Sequence, residues 1–338
     1  MTSLKPNNSL RKIDCHVHLV GDGSSGSDCW FSLPTLWKKF LGRMMIKGVG
    51  LPLSSLEDEL DELYSNNLVQ NIQDSGIDAA VVLAQDIPYS DSGEKMPDEA
   101  QFYVPNEFVA ALGKKYEEII PACSIHPGRP DAMDELEKCI EARMPVLKLL
   151  PNCLNVDYTD KKYIPFWERM AEAGMILLTH TGGEMTVKVY DASFGDPKKL
   201  EILLDCGVTA IAAHSAGRSA LFDPDWTTDL LEMFTRNSNL YADNSALSSI
   251  NRARTLKHIL PDDIQNRILH GSDYPVPVSG LGPMLMGKLS WKDYLSCAKI
   301  SNIIERDYQL KIGMGFKEKT FAKMDELLKK AGLERTLK

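Results

Sequence analysis

Several histidines of this sequence fall where they could bind a divalent metal. His16 and His18 are separated by one residue within a short apolar segment, and His180 and His214 each end a similar segment. Asp273 follows a further such segment. Neutral imidazole together with a carboxylate suits Zn, Mn, Fe or Co and leaves a coordination position for water. A lone histidine of this kind is more often a hydrogen-bonded structural residue, but five polar residues in one pattern predict a divalent-metal site, with zinc preferred.

These residues need a scaffold that brings distant parts of the chain together. Eight short runs rich in Val, Ile and Leu are typical of buried strands. The predicted strands are residues 13–19, 78–84, 119–125, 145–150, 175–180, 208–214, 240–244 and 267–270. Because side chains two apart in a strand point to the same side, the imidazoles of His16 and His18 can face one common axis.

Amphipathic stretches with helical spacing or helix-end signals separate the predicted strands. They are residues 131–143, 161–173, 197–206 and 223–236, together with a helix that a capping box at Ser54 begins and Gly76 ends. Alternation of strands and helices requires parallel strands with crossover helices. Eight such units predict a (β/α)8 TIM barrel, whose active site lies at the carboxyl ends of the strands. An open doubly wound sheet is the alternative, weakened because no Gly-x-Gly-x-x-Gly follows the first strand.

Two segments lie outside the repeating pattern. Residues 20–70 form a long insertion after the first strand, which begins rich in Gly, Ser and Asp and then contains Trp30 and Trp37. Connections of this length are usually lids or small subdomains. Residues 317–336 predict a C-terminal helix on the barrel exterior. We therefore expect one metal-dependent barrel domain, residues 1–338, with 20–70 as an insertion or lid.

Composition restricts the partners and the compartment. The net charge of −9 argues against nucleic acid, which needs a basic face. The seven cysteines include no Cys-x-x-Cys pair, which favours reduced thiols in the cytoplasm. The first twelve residues contain no apolar signal-peptide region, and no apolar run approaches the roughly 20 residues that span a bilayer. We expect an intracellular protein that is not bound to a membrane.

Five motifs, in this order along the chain, resemble those of the amidohydrolase superfamily, in the branch that includes aminocarboxymuconate-semialdehyde decarboxylase and related metal-dependent hydrolases. The motifs are DCHVH (14–18), LLTHTGG (177–183), AAHSAG (212–217), YADNS (241–245) and HGSDYP (270–275). The resemblance implies that His16, His18, His180 and Asp273 ligate the metal. It implies that His214 is a catalytic acid or base, or a second-metal ligand in members with two metals.

Lys148 lies in the predicted fourth strand, where two-metal members of the superfamily carry a carbamylated lysine that bridges the metals. Decarboxylase-like members use one metal, and many relatives have a lysine here without a bridge. The resemblance therefore favours one metal, with Lys148 as the bridge if a second is bound.

Two reactions remain open from the ligand set. The metal lowers the pKa of bound water, Asp273 can accept a proton from it, and His214 can polarise it or stabilise an oxyanion. This favours hydrolysis of an amide, ester or lactone. It equally supports nonoxidative decarboxylation of an aromatic or unsaturated acid. A binding barrel without catalysis would lack ligands, and none of the expected ligands is missing.

Substrate contacts are less specific in the sequence. Arg43 in the insertion and Arg218, four residues after His214, could each hold a substrate carboxylate. His126, after the third strand, could line the pocket. The run Ser215-Ala216-Gly217-Arg218 departs from the glycine-rich run of the family's decarboxylases, which puts that assignment in doubt. We expect a small, carboxylated substrate, and the resemblance is compatible with a homodimer.

Overall fold

Eight short parallel strands form the centre of the protein. The computed structural model describes residues 10–57, 59–220 and 222–333. The strands are β1 (Ile13–His18), β2 (Ala79–Leu83), β3 (Ile119–Cys123), β4 (Val146–Leu149), β5 (Ile176–Thr179), β6 (Thr209–Ala212), β7 (Leu240–Asp243) and β8 (Ile268–Leu269). Each strand pairs in parallel with the next along the chain, so all eight predicted strands are confirmed within one or two residues at most ends.

Hydrogen bonds between the first strand and the chain around the last one close the ring. The backbone N–H of Cys15 donates to the carbonyl of His270 at 2.9 Å, and the N–H of His18 donates to the carbonyl of Tyr274 at 2.8 Å. The N–H of Asp273 in turn donates to the carbonyl of His16 at 2.9 Å. An open doubly wound sheet would leave these edges apart, so the predicted (β/α)8 barrel is confirmed.

Helices surround the strands, and together they bury an apolar layer on the outside of the barrel. They are α1 (Leu36–Gly48), α2 (Leu60–Gln73), α3 (Asn106–Lys115), α4 (Ala132–Glu141), α5 (Pro151–Leu154), α6 (Ile164–Glu172), α7 (Glu201–Asp205), α8 (Thr227–Arg236), α9 (Leu256–Ile259), α10 (Leu281–Leu285), α11 (Trp291–Cys297), α12 (Ile303–Gly313) and α13 (Glu318–Lys330). The predicted helices at 131–143, 161–173, 197–206 and 223–236 correspond to α4, α6, α7 and α8. Among the described residues, no helix combines the length and apolarity needed to cross a bilayer.

The C-terminal helix α13 lies against the barrel interior and not on its exterior as expected. Met324, Leu327 and Leu328 pack with the apolar side chains inside the barrel, among them Ile13 at the start of β1. The backbone N–H of His270 also donates to the carbonyl of Thr320 at 3.0 Å. The helix therefore closes the end of the barrel opposite the predicted site; residues 334–336 of the predicted helix lie outside the described residues.

The chain between β1 and α2 forms a separate layer, which we call the cap (residues 20–59, described except for residue 58). It contains the short strand Trp30–Phe31, helix α1 and a 3-10 turn, Leu53–Leu56. The short strand pairs with Phe102–Tyr103 in the β2–α3 connection. Helix α2 packs in the outer layer of the barrel, so residues 60–70 of the predicted insertion belong to that layer.

The predicted capping box at Ser54 is wrong, because α2 begins only at Leu60 and its N-terminus is capped from elsewhere. The Asp22 carboxylate accepts hydrogen bonds from the backbone N–H groups of Leu60 and Asp61, at 3.2 and 3.3 Å. Asp61 in return accepts the N–H of Asp22 at 2.9 Å and the hydroxyl of Ser25 at 2.6 Å. The two ends of the cap are thereby joined to each other at the rim of the barrel.

Candidate functional site

Three ligand-type atoms converge at the carboxyl end of the barrel. Nε2 of His16 lies 3.2 Å from Nε2 of His18, and an Asp273 carboxylate oxygen lies 3.4 and 3.3 Å from these two atoms. The pairing of β1 with β2 shifts register between Asp14 and Val17, where the chain presents His16. The two imidazole nitrogens and the carboxylate oxygen all carry lone pairs. A cluster of lone pairs at these distances suits a cation.

Asp243, at the end of β7, fixes the orientation of the His16 ring. Its Oδ2 lies 2.8 Å from Nδ1 of His16. A carboxylate only accepts, so the ring proton is on Nδ1 and the lone pair of Nε2 faces His18 and Asp273. Asp243 also accepts the backbone N–H of His214 at 2.7 Å and that of Ser245 at 3.0 Å. A carboxylate whose oxygens accept these hydrogen bonds orients the His16 ring. Asp243 is also close enough to His16 and His214 to form a second group that could hold a metal.

His214 is brought into the site by an unusual turn after β6. His214, Ser215 and Ala216 have φ values of 58°, 51° and 55°, the left-handed region that non-glycine residues rarely occupy. Nδ1 of His214 lies 2.8 Å from the hydroxyl of Ser245. Burial lowers the pKa of His214, and the Arg252 guanidinium lowers it further. At neutral pH the imidazole is therefore uncharged. Asp273 also has a positive φ of 66°, and such strain is concentrated at functional sites.

His180 lies immediately after β5, with its ring centroid 5.0 Å from that of His214. Its Nδ1 lies 3.6 Å from the Glu184 carboxylate, and among the described residues its buried Nε2 atom has no hydrogen-bond partner. Burial acts to raise the pKa of Glu184, but His180 and the hydrogen bond with Thr186 lower it below its ordinary value. The Glu184 carboxylate is therefore ionised at neutral pH.

The residues present fit a divalent metal. Imidazole and carboxylate are the donors that Zn, Mn, Fe and Co accept. His16, His18 and Asp273 already converge without one. His180 offers a buried nitrogen that would otherwise lose the hydrogen bond it makes in water. The structure thus brings three of the four predicted ligands to one point and places the fourth in the same cavity.

Lys148 of β4 points into the same end of the barrel. Its Nζ lies 2.9 Å from Nε2 of His16. Burial lowers the pKa of Lys148 to about 8, against the opposite effect of Asp243 and Asp273. The amine is thus beside the converging ligands, where the sequence analysis expected the bridge of a two-metal site.

A cavity of about 170 Å³ opens from these groups towards the cap. His18, Lys148, His180, His214 and Asp273 form its polar floor. Its walls are largely apolar and come from the cap and from loops after β2, β5 and β8; they include Phe31, Leu33, Met45, Phe102, Val187 and Val276. The cavity can therefore hold a small organic molecule with an apolar body whose reacting group meets the strand ends.

Two loops at the rim approach so closely that one position requires glycine. Gly182 has a φ of 83°, and a Cβ there would lie 2.2 Å from the carbonyl oxygen of Gly217. The buried Arg252 joins the same loops, because its guanidinium donates to the carbonyls of Gly183 at 2.7 Å and Gly217 at 3.0 Å. The close approach to Gly217 explains the glycine at position 182, within the motif around His180.

Three predicted substrate contacts do not line this cavity. Arg43 is exposed and borders a separate depression with Glu57. Arg218 forms an ion pair with Asp225 at 3.5 Å. His126 is buried, and its Nδ1 accepts the backbone N–H of Gly128 at 2.9 Å. The structure therefore does not bring these residues to the predicted metal ligands.

Other residues, which the sequence analysis did not select, do line or support the site. Glu184 and Lys38 line the cavity, Asp243 orients His16, and Arg252 joins two rim loops. Asp243 lies within the YADNS motif and Glu184 follows LLTHTGG, so motif position was the available signal for these two. Nothing in the sequence distinguishes Lys38 from its neighbour Lys39.

Comparison with known proteins gives a consistent result. A family model described as amidohydrolase matches residues 13–285. Among curated proteins, none matches the sequence significantly. The family match covers β1 to β8 and every predicted metal ligand.

Solved structures with the same fold include two that cover nearly all of this chain. An uncharacterized TIM-barrel protein of Bordetella bronchiseptica is 16% identical, with a TM-score of 0.61, and 96% of this chain aligns with 100% of that one. A probable 2-pyrone-4,6-dicarboxylic acid hydrolase of Acinetobacter baumannii, solved with citric acid bound, is 13% identical, with a TM-score of 0.51 over 91% of this chain and 100% of that one. At these identities the comparison establishes the barrel fold alone.

Proposed function

Since this chain belongs to the amidohydrolase family, we propose that it is a metal-dependent hydrolase of a small, carboxylated organic substrate. The observation that carries the proposal is the convergence of His16, His18 and Asp273 beside a buried His180 nitrogen without a hydrogen-bond partner among the described residues. We propose these four residues as the metal ligands. We further propose one catalytic domain, in which the cap acts as a lid over the cavity.

A divalent metal held by these four residues would act as a Lewis acid and make a bound water more acidic. Asp243 holds the His16 ring through Nδ1, so that its Nε2 lone pair faces the ligand cluster. The neutral His214 lies beside this point, held through Ser245, and is proposed to accept a proton there. Asp273 is proposed as a second proton acceptor. The apolar walls exclude bulk water from the reacting group.

Nonoxidative decarboxylation is the second candidate, and the apolar character of the cavity favours it. Phe31, Leu33 and Phe102 offer flat and aliphatic contacts that suit an aromatic or unsaturated acid. In this reaction the polar floor would deliver a proton to the substrate carbon as CO2 leaves, and the ligand arrangement would be the same. The two candidates therefore share a site and differ in whether water enters the product.

Product analysis separates the two reactions. Metal-loaded protein is incubated with lactones, amides and aromatic acids that bear a carboxylate, in water enriched in ¹⁸O. Hydrolysis incorporates ¹⁸O into the organic product, whereas decarboxylation releases CO2 and leaves the organic product unlabelled. A protein that retains metal but converts no member of the panel would contradict the proposed reaction class.

We propose one divalent metal per chain, with zinc preferred and Mn, Fe or Co also suited to the donors. Elemental analysis should find one equivalent, and the electron density of the metal-loaded protein should show an unmodified Lys148 amine. Two equivalents with extra density on the Lys148 amine would overturn the single-metal proposal and support Lys148 as a bridge.

We also propose a reducing compartment, the cytoplasm, for this protein. All seven cysteines are free thiols in the structure, which supports this location. A homodimer stays a prediction, and light scattering of the purified protein tests it directly.

A further inference from the structure

Lys38 is a cation of the cap that lines the catalytic cavity. It lies on α1, and its ammonium donates to the side-chain oxygen of Gln101 at 3.3 Å and to the backbone carbonyl of Thr186. An ammonium group has three N–H donors. These two acceptors account for two donors, which leaves a third for a ligand in the cavity.

The distribution of charge makes Lys38 distinct from other cations. Among the described residues, only Lys38 and Lys148 are lysines or arginines lining the cavity. Lys148 contacts His16 on the barrel floor, whereas Lys38 projects from the cap. Burial lowers the pKa of Lys38, and the nearby Glu184 counteracts this. The two arginines expected from the sequence to bind a carboxylate lie outside the cavity.

We propose that Lys38, supported by Gln101, binds an anionic group of the substrate at the cap side of the cavity. The substrate class is then an acid with two functional groups: a carboxylate held by Lys38, and a separate reacting group that meets the strand-end histidines. The apolar body between them contacts side chains such as Phe31 and Phe102. This inference rests on the proposed function and adds that the recognised carboxylate is not the group that reacts.

The position of Gln101 and Thr186 strengthens the assignment. Gln101 accepts from Lys38 and also from the backbone N–H of Lys188, at 2.6 Å. The backbone carbonyl of Gln101 accepts the N–H of Ser32 in the cap at 2.7 Å. The ammonium is therefore held between three segments, the cap, the β2–α3 connection and the loop after β5. A cation held in this way keeps its direction towards the cavity before a ligand binds.

Two pairs of isosteric probes test the proposal. Terephthalate and isophthalate each carry two carboxylates, and each is compared with the analogue in which one carboxylate is a carboxamide. Every probe keeps one carboxylate, so the comparison within a pair reports on the second anionic group. Dissociation constants are measured by calorimetry on metal-loaded protein. We expect at least one dicarboxylate to bind about tenfold to a hundredfold more tightly than its amide analogue, the range for a charged hydrogen bond.

Lys38→Met should abolish this preference while leaving the affinity for the amide analogue and the metal content unchanged. Lys38→Arg should keep much of the preference, because the cation remains. Lys39→Met is the matched control, since Lys39 is the exposed neighbour on the same helix, and it should behave as wild type. Thermal melting of each variant verifies folding. If neither dicarboxylate is preferred by the wild-type protein, or if Lys38→Met keeps the preference, the proposal is wrong.

The experiment separates this inference from the proposed function. Metal content and turnover are measured on the same preparations, and probe binding is repeated after the metal is chelated. If wild-type protein holds no metal and converts nothing, the proposed function fails, whereas a probe preference lost in Lys38→Met still supports an anion site at Lys38. Once a substrate is found, Lys38→Met should raise KM far more than it lowers kcat.

Discussion

The floor of the cavity and its cap differ in how deeply their side chains are buried and in the contacts that hold them. Directly beneath the floor, His16 is fully buried and held by Asp243, and the neighbouring strands fix its position. In the cap, Trp37 and Phe40 on α1 are each 56% exposed although they stack on each other. In the proposed function, the floor carries the groups that hold the metal, and the cap carries a lysine and apolar contacts suited to recognition. The proposal therefore assigns reaction and recognition to separate layers of one cavity.

Loss of a floor ligand should have the largest effect. His180→Ala removes the imidazole whose buried Nε2 has no hydrogen-bond partner among the described residues, and should abolish both metal retention and turnover. Elemental analysis after gel filtration measures the metal, and a turnover assay follows. His258→Ala, which changes a half-buried histidine on α9 outside the cavity, is the control. An unchanged metal content in His180→Ala would refute the assigned role of His180.

Truncation inside the barrel should cost far more stability than truncation in the cap. Leu178 on β5 is fully buried in the interior cluster, and Leu178→Ala should lower the free energy of unfolding by about 2–5 kcal/mol. Urea denaturation measures this loss. A value below about 1 kcal/mol would indicate that the barrel interior can collapse around the missing atoms.

The pH dependence of stability should come from buried imidazoles around the barrel, of which His126 is a clear example. Burial lowers the pKa of His126 to about 4, below its ordinary value of 6.5. The unfolded chain therefore takes up a proton first as pH falls, so stability is lost between pH 6.5 and 4 and is fully present above this range. For this residue the loss should be about 2 kcal/mol between pH 7 and pH 5.

His126→Gln tests this contribution, because glutamine can still accept the hydrogen bond from the Gly128 backbone. Metal-free wild-type and variant proteins are denatured with urea at pH 7 and pH 5. The variant should lose about 2 kcal/mol less than wild type over this interval. Equal losses in the two proteins would show that His126 is protonated in the folded state at pH 5.

Asp243→Asn should weaken the floor without removing a ligand. Asparagine has one acceptor oxygen where aspartate has two, and its amide nitrogen donates. The proton on Nδ1 of His16 is then no longer fixed by a carboxylate. Loss of such an orienting partner typically costs about 10–100-fold in metal affinity. Competition with a chelator measures the dissociation constant. An unchanged constant would mean that His16 is oriented by packing alone.

The smallest effect is expected on the outer face of the cap. Phe40→Ala should change the free energy of unfolding by no more than about 0.5 kcal/mol, as for other exposed positions. Urea denaturation under the conditions used for Leu178→Ala makes the two values comparable. A loss above about 1 kcal/mol would mean that another surface covers this face of α1 in solution.

Local sequence patterns were sufficient for the barrel and for its polar floor. The apolar runs predicted all eight strands because a strand in a parallel barrel is buried on both sides and shows this in its composition. The motifs pointed to His16, His18 and Asp273 because each lies at a strand end. These features depend on a few consecutive residues, which is the range over which a sequence pattern is informative.

The features that the sequence analysis missed depend on contacts between distant segments. The sequence alone does not distinguish Lys38 from Lys39. Only the orientation of α1 over the cavity shows that Lys38 lines it. The helix after the cap is capped by Asp22, 38 residues before Leu60, so the local signal at Ser54 was misleading. Arg252 reaches two loops more than 30 residues away, whereas Arg218, adjacent to one of them, pairs with Asp225.

The reciprocal bonds between Asp22 and Asp61 have a consequence for how this protein can change. Because they pin both ends of the cap together at the rim, the intervening chain leaves and re-enters the barrel at nearly one place. For a flexible connection between fixed ends, doubling the length costs only about 0.6 kcal/mol in closure entropy. A change in the length of the intervening segment therefore leaves the points where the chain leaves and re-enters the barrel unchanged.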